Sequence, residues 1–536
     1  MQKTAALLLA LLFCAGCSDA AQSKPGTGGA GGAGAGGGGD AGGGNAGGTA
    51  GRGGGGGGGG GGTAGAGAGG DGGSGGQVLT PDPDEPPDVL RPITTIAMVD
   101  PSKWPVPRRP YTTAAGGTVL HVAPGGADTG DGSLERPFKT IKKAVTTARS
   151  GDIVRVAAGT YTLTASDTFG LELDKDNVVL TARRGEKVVL RAGGGTVAGV
   201  RITGDDVVFD GFELEGFSDV GVMFGRTDRT QHGVQILRTK ITGGTDSIRA
   251  VVPETRGRVL VDGLLVYDTE IAMPGLIGFN CGEGPCNGVR LERVTVRGRG
   301  SEGGNTAADA IAFEDGANLA IVDSEVTNVE GDGVDTKADG VVVLNVRAHD
   351  LGRNGIKLWR GGDVMNCLVA NTGADAAIVF DNPGAYRILN TTVVGHSPGA
   401  NTFSVTAAYD MRGAGTLTIQ NSIFSRNSGS IFAPSQFTVM LENNLFFGTE
   451  SGFEFTWGDM QFGGGDNALS ALRGATGNLQ GMDPRFADPA GGDYTLMAGS
   501  PAIDRGRAVP QMPDVDLAGN PRSAGGGVDL GCYERP

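Results

Sequence analysis

The chain has 536 residues, a formal net charge of −15, 101 glycines and six cysteines. The acidic balance argues against a nucleic-acid partner, which needs a basic face. With only four histidines and neither a paired CxxC nor an HExxH motif, a zinc enzyme is not expected. Six cysteines in this length do not make a disulfide scaffold, so an apolar core must hold the fold.

In chain order, Lys3 followed by the apolar stretch from Ala5 to Ala15 reads as an export signal, a short positive region before an apolar segment too short to span a membrane. Residues 1–24 are assigned to it. It ends in Cys14-Ala15-Gly16-Cys17-Ser18, which resembles a bacterial lipoprotein signal, although Cys14 stands where that signal usually has Leu. The resemblance implies lipidation at Cys17; an ordinary cleaved signal with a released product is the other reading. Residues 25–78 are a glycine-rich linker, with almost no side chains to bury against the entropy of ordering them. Residues 79–116, rich in Pro and acidic residues, read as an extended lead-in. An exported monomer is expected, either secreted or displayed on the outer membrane or cell surface, touching membrane only through the lipid.

Structure is expected from Gly117. Val119 to Val122 reads as a strand, and Phe138, Ile141, Val145 and Ala148 then fall at helical spacing, giving a short amphipathic helix that stops near Gly151. GDIVRVAAGTY opens a long series of strands. The segments VVFDGFEL (207–214), VQILRTKI (234–241), VLVDGLLV (259–266), VRLERVTV (289–296), LAIVDSEV (319–326) and VVVLNVRA (341–348) share one alternating pattern broken at a corner. Strands this regular with no helices between them leave a sandwich or a solenoid. Aligning VVVLNVRA with VMNCLV, ILNTTVV, IQNSIF and LENNLF puts Asn345, Asn366, Asn390, Asn421 and Asn443 in one column. A solenoid stacks such a column at about the 4.8 Å strand spacing and lets its amides bond along the stack. A sandwich gives no reason for it.

These coils, the asparagine column and the helix expected to plug the N-terminal end resemble the right-handed parallel β-helix of the pectate-lyase-like superfamily, over residues 117–447. The fold class expected is therefore all-β. The tail, residues 448–536, resembles a module that often follows such helices, with capping of the last coil as its expected role.

Three phrases carry the candidate chemistry: ADAIAF (308–313), GDGVDT (331–336) and RNGIKL (353–358). Laid over one another, they superpose Asp309 on Asp332 on Asn354 and Ala312 on Asp335 on Lys357. Alternation points Ile311, Phe313, Val334, Thr336, Ile356 and Leu358 inward. It turns Ala312, Asp335 and Lys357 outward in one column, with Glu314, Lys337 and Trp359 in the next. The following rung, ADAAIVFD (374–381), needs a one-residue shift, since Ile378 would otherwise face out. Asp309, Asp332 and Asp335 then converge from adjacent coils, hard oxygen ligands of the kind that suit Ca²⁺.

The phrases resemble the ADG, DDGxD and GNGxKLG rungs of polysaccharide lyase family 9. That resemblance implies Asp309, Asp332 and Asp335 as calcium ligands and Lys357 as the base of a β-elimination on a uronic-acid polysaccharide. It also departs from the family: Gly331 replaces an Asp, with Glu330 adjacent as a substitute, and Trp359-Arg360 replaces small residues. Arg360 is expected to meet a substrate carboxylate and Trp359 to stack on a sugar ring.

An outward Asp and Lys ladder also serves as a plain ion pair, worth roughly 0.2–1 kcal/mol, and Lys337 reads as such a residue. Asp246, Arg249 and Glu254 lie upstream on the same broad face without an assignment. The alternative function is a non-catalytic surface β-helix that binds glycans or other cells. A glycoside hydrolase would need paired acids without the lysine, which fits less well. Cys281 and Cys286, which flank a Gly-Glu-Gly-Pro loop, are expected to bridge under oxidising conditions, while Cys367 and Cys532 stand alone.

Overall fold

The computed structural model describes residues 89–93, 99–107, 111–164, 169–250, 260–272, 275–282, 284–300, 308–373, 376–396, 403–407, 413–429, 431–463, 468–522 and 524–536. The expected leader with Cys17, the glycine-rich linker, the start of the lead-in and Glu254 lie outside them. Among the described residues, 36 strands join in one hydrogen-bonded sheet. Nearly every pairing is parallel and links one coil to the next, so the chain winds as a parallel β-solenoid. Alternation explains the interior: Ile311, Val334, Thr336, Ile356 and Leu358 are all fully buried, and Phe313 packs on Phe279 with ring centroids 5.2 Å apart. Each buried aliphatic or aromatic side chain contributes about 1.5–3 kcal/mol.

The helix forms at Ile141–Thr147, where Thr140 accepts the Lys143 amide as N-cap. Ile141, Ala144 and Val145 join the solenoid's apolar core beside Leu120, Val122, Leu171 and Leu173. Phe138 precedes the helix, in a bridge to Val122.

From Gly211 to Gly477, successive coils turn one corner at a residue with left-handed φ. The expected asparagines Asn345, Asn366, Asn390, Asn421 and Asn443 all occupy it, at φ 46–56°, and Arg238, Asp268, Arg293 and Asp323 extend the column upstream. Asn tolerates this conformation because its short amide bonds locally. Within the column, Asn366 donates to Asn345 at 2.5 Å, Asn345 to Asp323 at 2.8 Å and Asn421 to Asn390 at 3.5 Å.

Two expectations need correction. VLVDGLLV is not the repeat equivalent of its neighbours, because Val234 pairs with Leu264 and Leu264 with Val289. The matching segment thus begins five residues later than the Asp-Gly pair suggests. The parallel pairing also continues past residue 447, through Phe455–Trp457, Ala475–Thr476 and Leu479–Gln480.

The tail beyond it lies along one flank. Phe486, Tyr494, Leu496, Leu517, Leu530 and Cys532 cover the outward apolar residues Leu368, Ala370, Val394, Ile423 and Leu445. Asn421 fastens it, its Nδ2 donating to the Arg507 carbonyl at 2.8 Å and its Oδ1 accepting the Arg507 amide at 2.9 Å.

The described parts of the lead-in form a strap on another flank. Val99 and Trp104 cover Val322, Leu344 and Met365, while Leu90 and Tyr111 pack on Ile153, Val208, Leu237 and Leu265. Trp104 Nε1 donates to the Asn318 carbonyl at 3.0 Å, and the buried Arg290–Glu292 pair is bonded to the backbone of Arg91. Farther along the same flank the outward residues turn polar, with Asp363 and Arg387 ion-paired at 3.0 Å. The remaining face carries the candidate site.

Candidate functional site

Twelve parallel strands build this face, from Phe169–Leu173 to Phe455–Trp457. Register places its residues in two columns. A rim column runs Ala198, Val220, Asp246, Ile277, Asp309, Asp332, Asn354, Ala376, Phe403. An outer column runs Arg201, Met223, Arg249, Asn280, Ala312, Asp335, Lys357, Val379, Thr406 over the same strands. The three phrases are neighbouring rungs in the expected register. At the next rung, Ile356 pairs with Ile378, which is fully buried, so the one-residue offset is present.

Asp309, Asp332 and Asp335 come together, each offering a carboxylate oxygen within 4.8 Å of the others. A ladder of hydrogen bonds holds the first two. The Asp332 amide donates to Asp309 Oδ1 at 2.7 Å, and the Asn354 amide and side chain donate to Asp332 Oδ1 at 3.0 and 2.8 Å. Asn354 Oδ1 in turn accepts the Ala376 amide. From the outer column, Lys357 Nζ approaches Asp335 Oδ2 at 3.5 Å and Asp332 Oδ2 at 3.9 Å, and Arg353 Nε lies 4.0 Å from Asp332.

Burial, then the charge of Asp332, holds the Asp309 carboxyl well above the ordinary carboxylate range. Burial, then Asp335, also raises the pKa of Asp332. For Lys357, burial works against the charged form, but Asp335 and Asp332 outweigh it and raise the ammonium pKa. Three crowded, partly desolvated carboxylates make a hard oxygen set that fits Ca²⁺.

Gly331, the departure from the resembled family, has a steric reason. A Cβ there would run into Asp309 Oδ1 and would stand 2.8 Å from the Ala308 carbonyl oxygen and 2.9 Å from its carbon. Glu330 is not part of the carboxylate group.

Trp359 joins the cluster, donating from Nε1 to Asp335 Oδ1 at 2.9 Å. Its ring lies 5.1 Å from Lys357 Nζ and 4.9 Å from Lys337 Nζ, and Lys337 is ion-paired to Glu314. Arg360 lies past an irregularity in the strand, between Asp315 at 3.4 Å and Asp339 at 3.8 Å. Cys281 and Cys286 are disulfide-bonded beneath the neighbouring rungs, and Cys367 and Cys532 are free and buried.

Sequence reasoning missed the bond between Trp359 and Asp335. It also left Asp246 and Arg249 unplaced, although their spacing repeats that of Asp332 with Asp335 and of Asn354 with Lys357, a signal that was available.

A model of the family described as "Protein of unknown function (DUF1565)" matches residues 124–429, more than half of the chain. No curated protein matches it. Solved structures similar to it include pectate lyase Pel9A, at 13% identity over 80% of this chain and 98% of that one, with a TM-score of 0.45. The A-module of mannuronan C-5 epimerase AlgE6 from Azotobacter vinelandii matches at 14% identity over 64% and 93%, with a TM-score of 0.43. A rhamnogalacturonan lyase matches at 13% identity over 74% and 95%, with a TM-score of 0.34.

Proposed function

We propose that this chain, which belongs to the family of proteins of unknown function DUF1565, is a calcium-dependent lyase that cleaves a uronic-acid polysaccharide by β-elimination. The observation that carries this reading is the convergence of Asp309, Asp332 and Asp335 with Lys357 on one face. The three carboxylates would hold the cation. Calcium, when bound, supplies charge that neutralises the sugar carboxylate and acidifies the proton on the adjoining carbon.

Lys357 Nζ takes that proton as general base. The electron pair left on carbon forms the double bond, and the glycosidic oxygen departs and gains a proton from solvent. Asp335 and Asp332 keep Lys357 charged in the cation-free chain, so its action as a base requires those oxygens to be engaged elsewhere. Arg360, 44% exposed at its side chain, is the proposed contact for a substrate carboxylate. Trp359, bonded to Asp335 and flanked by two ammonium groups, acts more naturally as a positioning residue than as a stacking platform. An export signal suits an extracellular polymer.

The closed contacts of Lys357 with Asp335 and Asp332 favour a second reading, a non-catalytic β-helix that binds glycans. A panel of uronic-acid polymers separates the two. The lyase reading expects unsaturated uronates, detected by ultraviolet absorbance, that vanish with a chelator and in Lys357→Ala. No product from any polymer, or an unaffected Lys357→Ala chain, favours the binding reading.

A further inference from the structure

The same face carries a second polar centre. Arg249 stands four rungs from Lys357 in the outer column, about 19 Å at the usual strand spacing. Its Nη2 meets Asp219 Oδ2 at 3.1 Å and its Nη1 meets Asp246 Oδ2 at 3.3 Å. Asn280 Nδ2 donates to the same Asp246 oxygen at 3.0 Å. Asp246 is buried, whereas the side chains of Arg249 and Asp219 are 21% and 38% exposed. Beside them Phe169, Ala198, Val220 and Met223 form a small apolar cluster of their own, separate from the interior.

Charge sets what this centre can bind. Arg249, less exposed than Arg360, is held by two carboxylates at 3.1 and 3.3 Å, against 3.4 and 3.8 Å for Arg360, and Arg201 faces Glu172 at 3.4 Å. Toward the other end the two columns carry Ala376, Val379, Phe403 and Thr406, with Phe403 packed on Phe432 at 5.0 Å between ring centroids. Among the described residues, neither column therefore offers an unmatched cation outside the rungs of Asp309, Asp332, Asp335 and Lys357.

An extended sugar residue is about as long as the 4.8 Å rung spacing. A homopolymer of uronate laid along the face would bring carboxylates against Asp219 and against an uncharged surface. Neutral sugars fit both regions. Hydroxyls can donate to Asp219 and accept from Arg249 and Asn280, and the apolar ring faces can lie on Met223 or the Phe403–Phe432 pair.

We propose that Asp219, Arg249 and Asn280 form a neutral-sugar subsite, so that the substrate is a mixed polymer in which uronates alternate with, or are separated by, neutral sugars. The proposal rests on the lyase reading for the direction in which the polymer lies.

The test is calorimetric titration of the full chain carrying Lys357→Ala, with calcium present. The probes are oligomers of galacturonate, of mannuronate, and of a uronate alternating with a neutral deoxyhexose or an N-acetylhexosamine. Alternating oligomers are expected to bind about tenfold tighter than either homopolymer, and adding Arg249→Gln or Asp219→Asn is expected to remove that advantage. Melting curves check that each variant is folded, and Asp219→Asn is the milder change.

Equal affinity for homopolymers, no binding of any oligomer, or an alternating-polymer affinity untouched by both substitutions overturns the subsite. Cleavage of homopolymers by the parent chain, unaffected by Arg249→Gln, overturns it while leaving the lyase reading intact. Binding that depends on Arg249 without cleavage of any polymer does the reverse.

Discussion

The indole Nε1 of Trp359 donates to Oδ1 of Asp335 at 2.9 Å, so a residue of the next rung fixes which way one carboxylate of the cluster turns. Trp359→Phe keeps a ring beside Lys337 and Lys357 and removes only the donor. It is expected to weaken calcium binding about 10-fold or more and to cost about 1 kcal/mol of stability. Calcium titration and thermal melting measure the two effects. An unchanged affinity would mean that Asp335 is oriented without Trp359.

Restoring the acidic residue of the resembled lyase family at position 331 is expected to damage the site. The new Cβ collides with Asp309 Oδ1 and with the Ala308 backbone, and overpacking of this kind costs about 1–3 kcal/mol. Gly331→Asp should melt earlier and bind calcium more weakly than the parent despite its added charge. Tighter binding would show that the rung can open to accept a fourth carboxylate.

Trp104 anchors the N-terminal strap over Val322 and Leu344 and is 4% exposed. Trp104→Ala is expected to cost about 3–5 kcal/mol. Because solenoid coils are stabilised by their neighbours, the loss should be local. Hydrogen exchange should quicken in Cys286–Arg297 and Gly316–Val322 before it does in the strands near residue 440. Uniform acceleration would contradict the strap's local role.

His349 bonds Glu325 at 3.0 Å and Asp350 at 2.8 Å. The Glu325 bond chiefly raises the His349 pKa, and the same bond lowers that of Glu325. The histidine contribution is complete below its unfolded value and is lost as pH rises through the folded one. The glutamate contribution is complete above its unfolded value and is lost as pH falls. Their stabilisation therefore peaks between about pH 4.5 and 6.5. The melting-temperature gap between parent and His349→Gln should be widest between about pH 4.5 and 6.5 and should narrow as pH rises above that window. A gap independent of pH would remove the charge from the explanation.

Much of the site was legible because a strand's alternation is local. Ile311, Val334 and Ile356 mark the inward side, and once that side is known Asp335 and Lys357 have only one direction left. The asparagine corners were legible for a similar reason, since a left-handed φ favours Asn and five successive coils use it there. Arg238, Asp268 and Arg293 escaped notice because they hold the same φ without the same residue type. Asp262-Gly263 misled, since it copies the Asp210-Gly211 corner in composition but not in pairing.

By itself the sequence determined the coil, its inner and outer sides, and the rungs that bring Asp309, Asp332, Asp335 and Lys357 together. Only the tertiary structure decided which outward surfaces are covered. The strap over Val322 and the tail over Val394 carry no repeat of their own, and Trp104 reaches Asn318 across 214 residues. The space beside Asp309 that makes residue 331 a glycine was also decided there. These outcomes depend on contacts between distant parts of the chain, for which local patterning carries no signal.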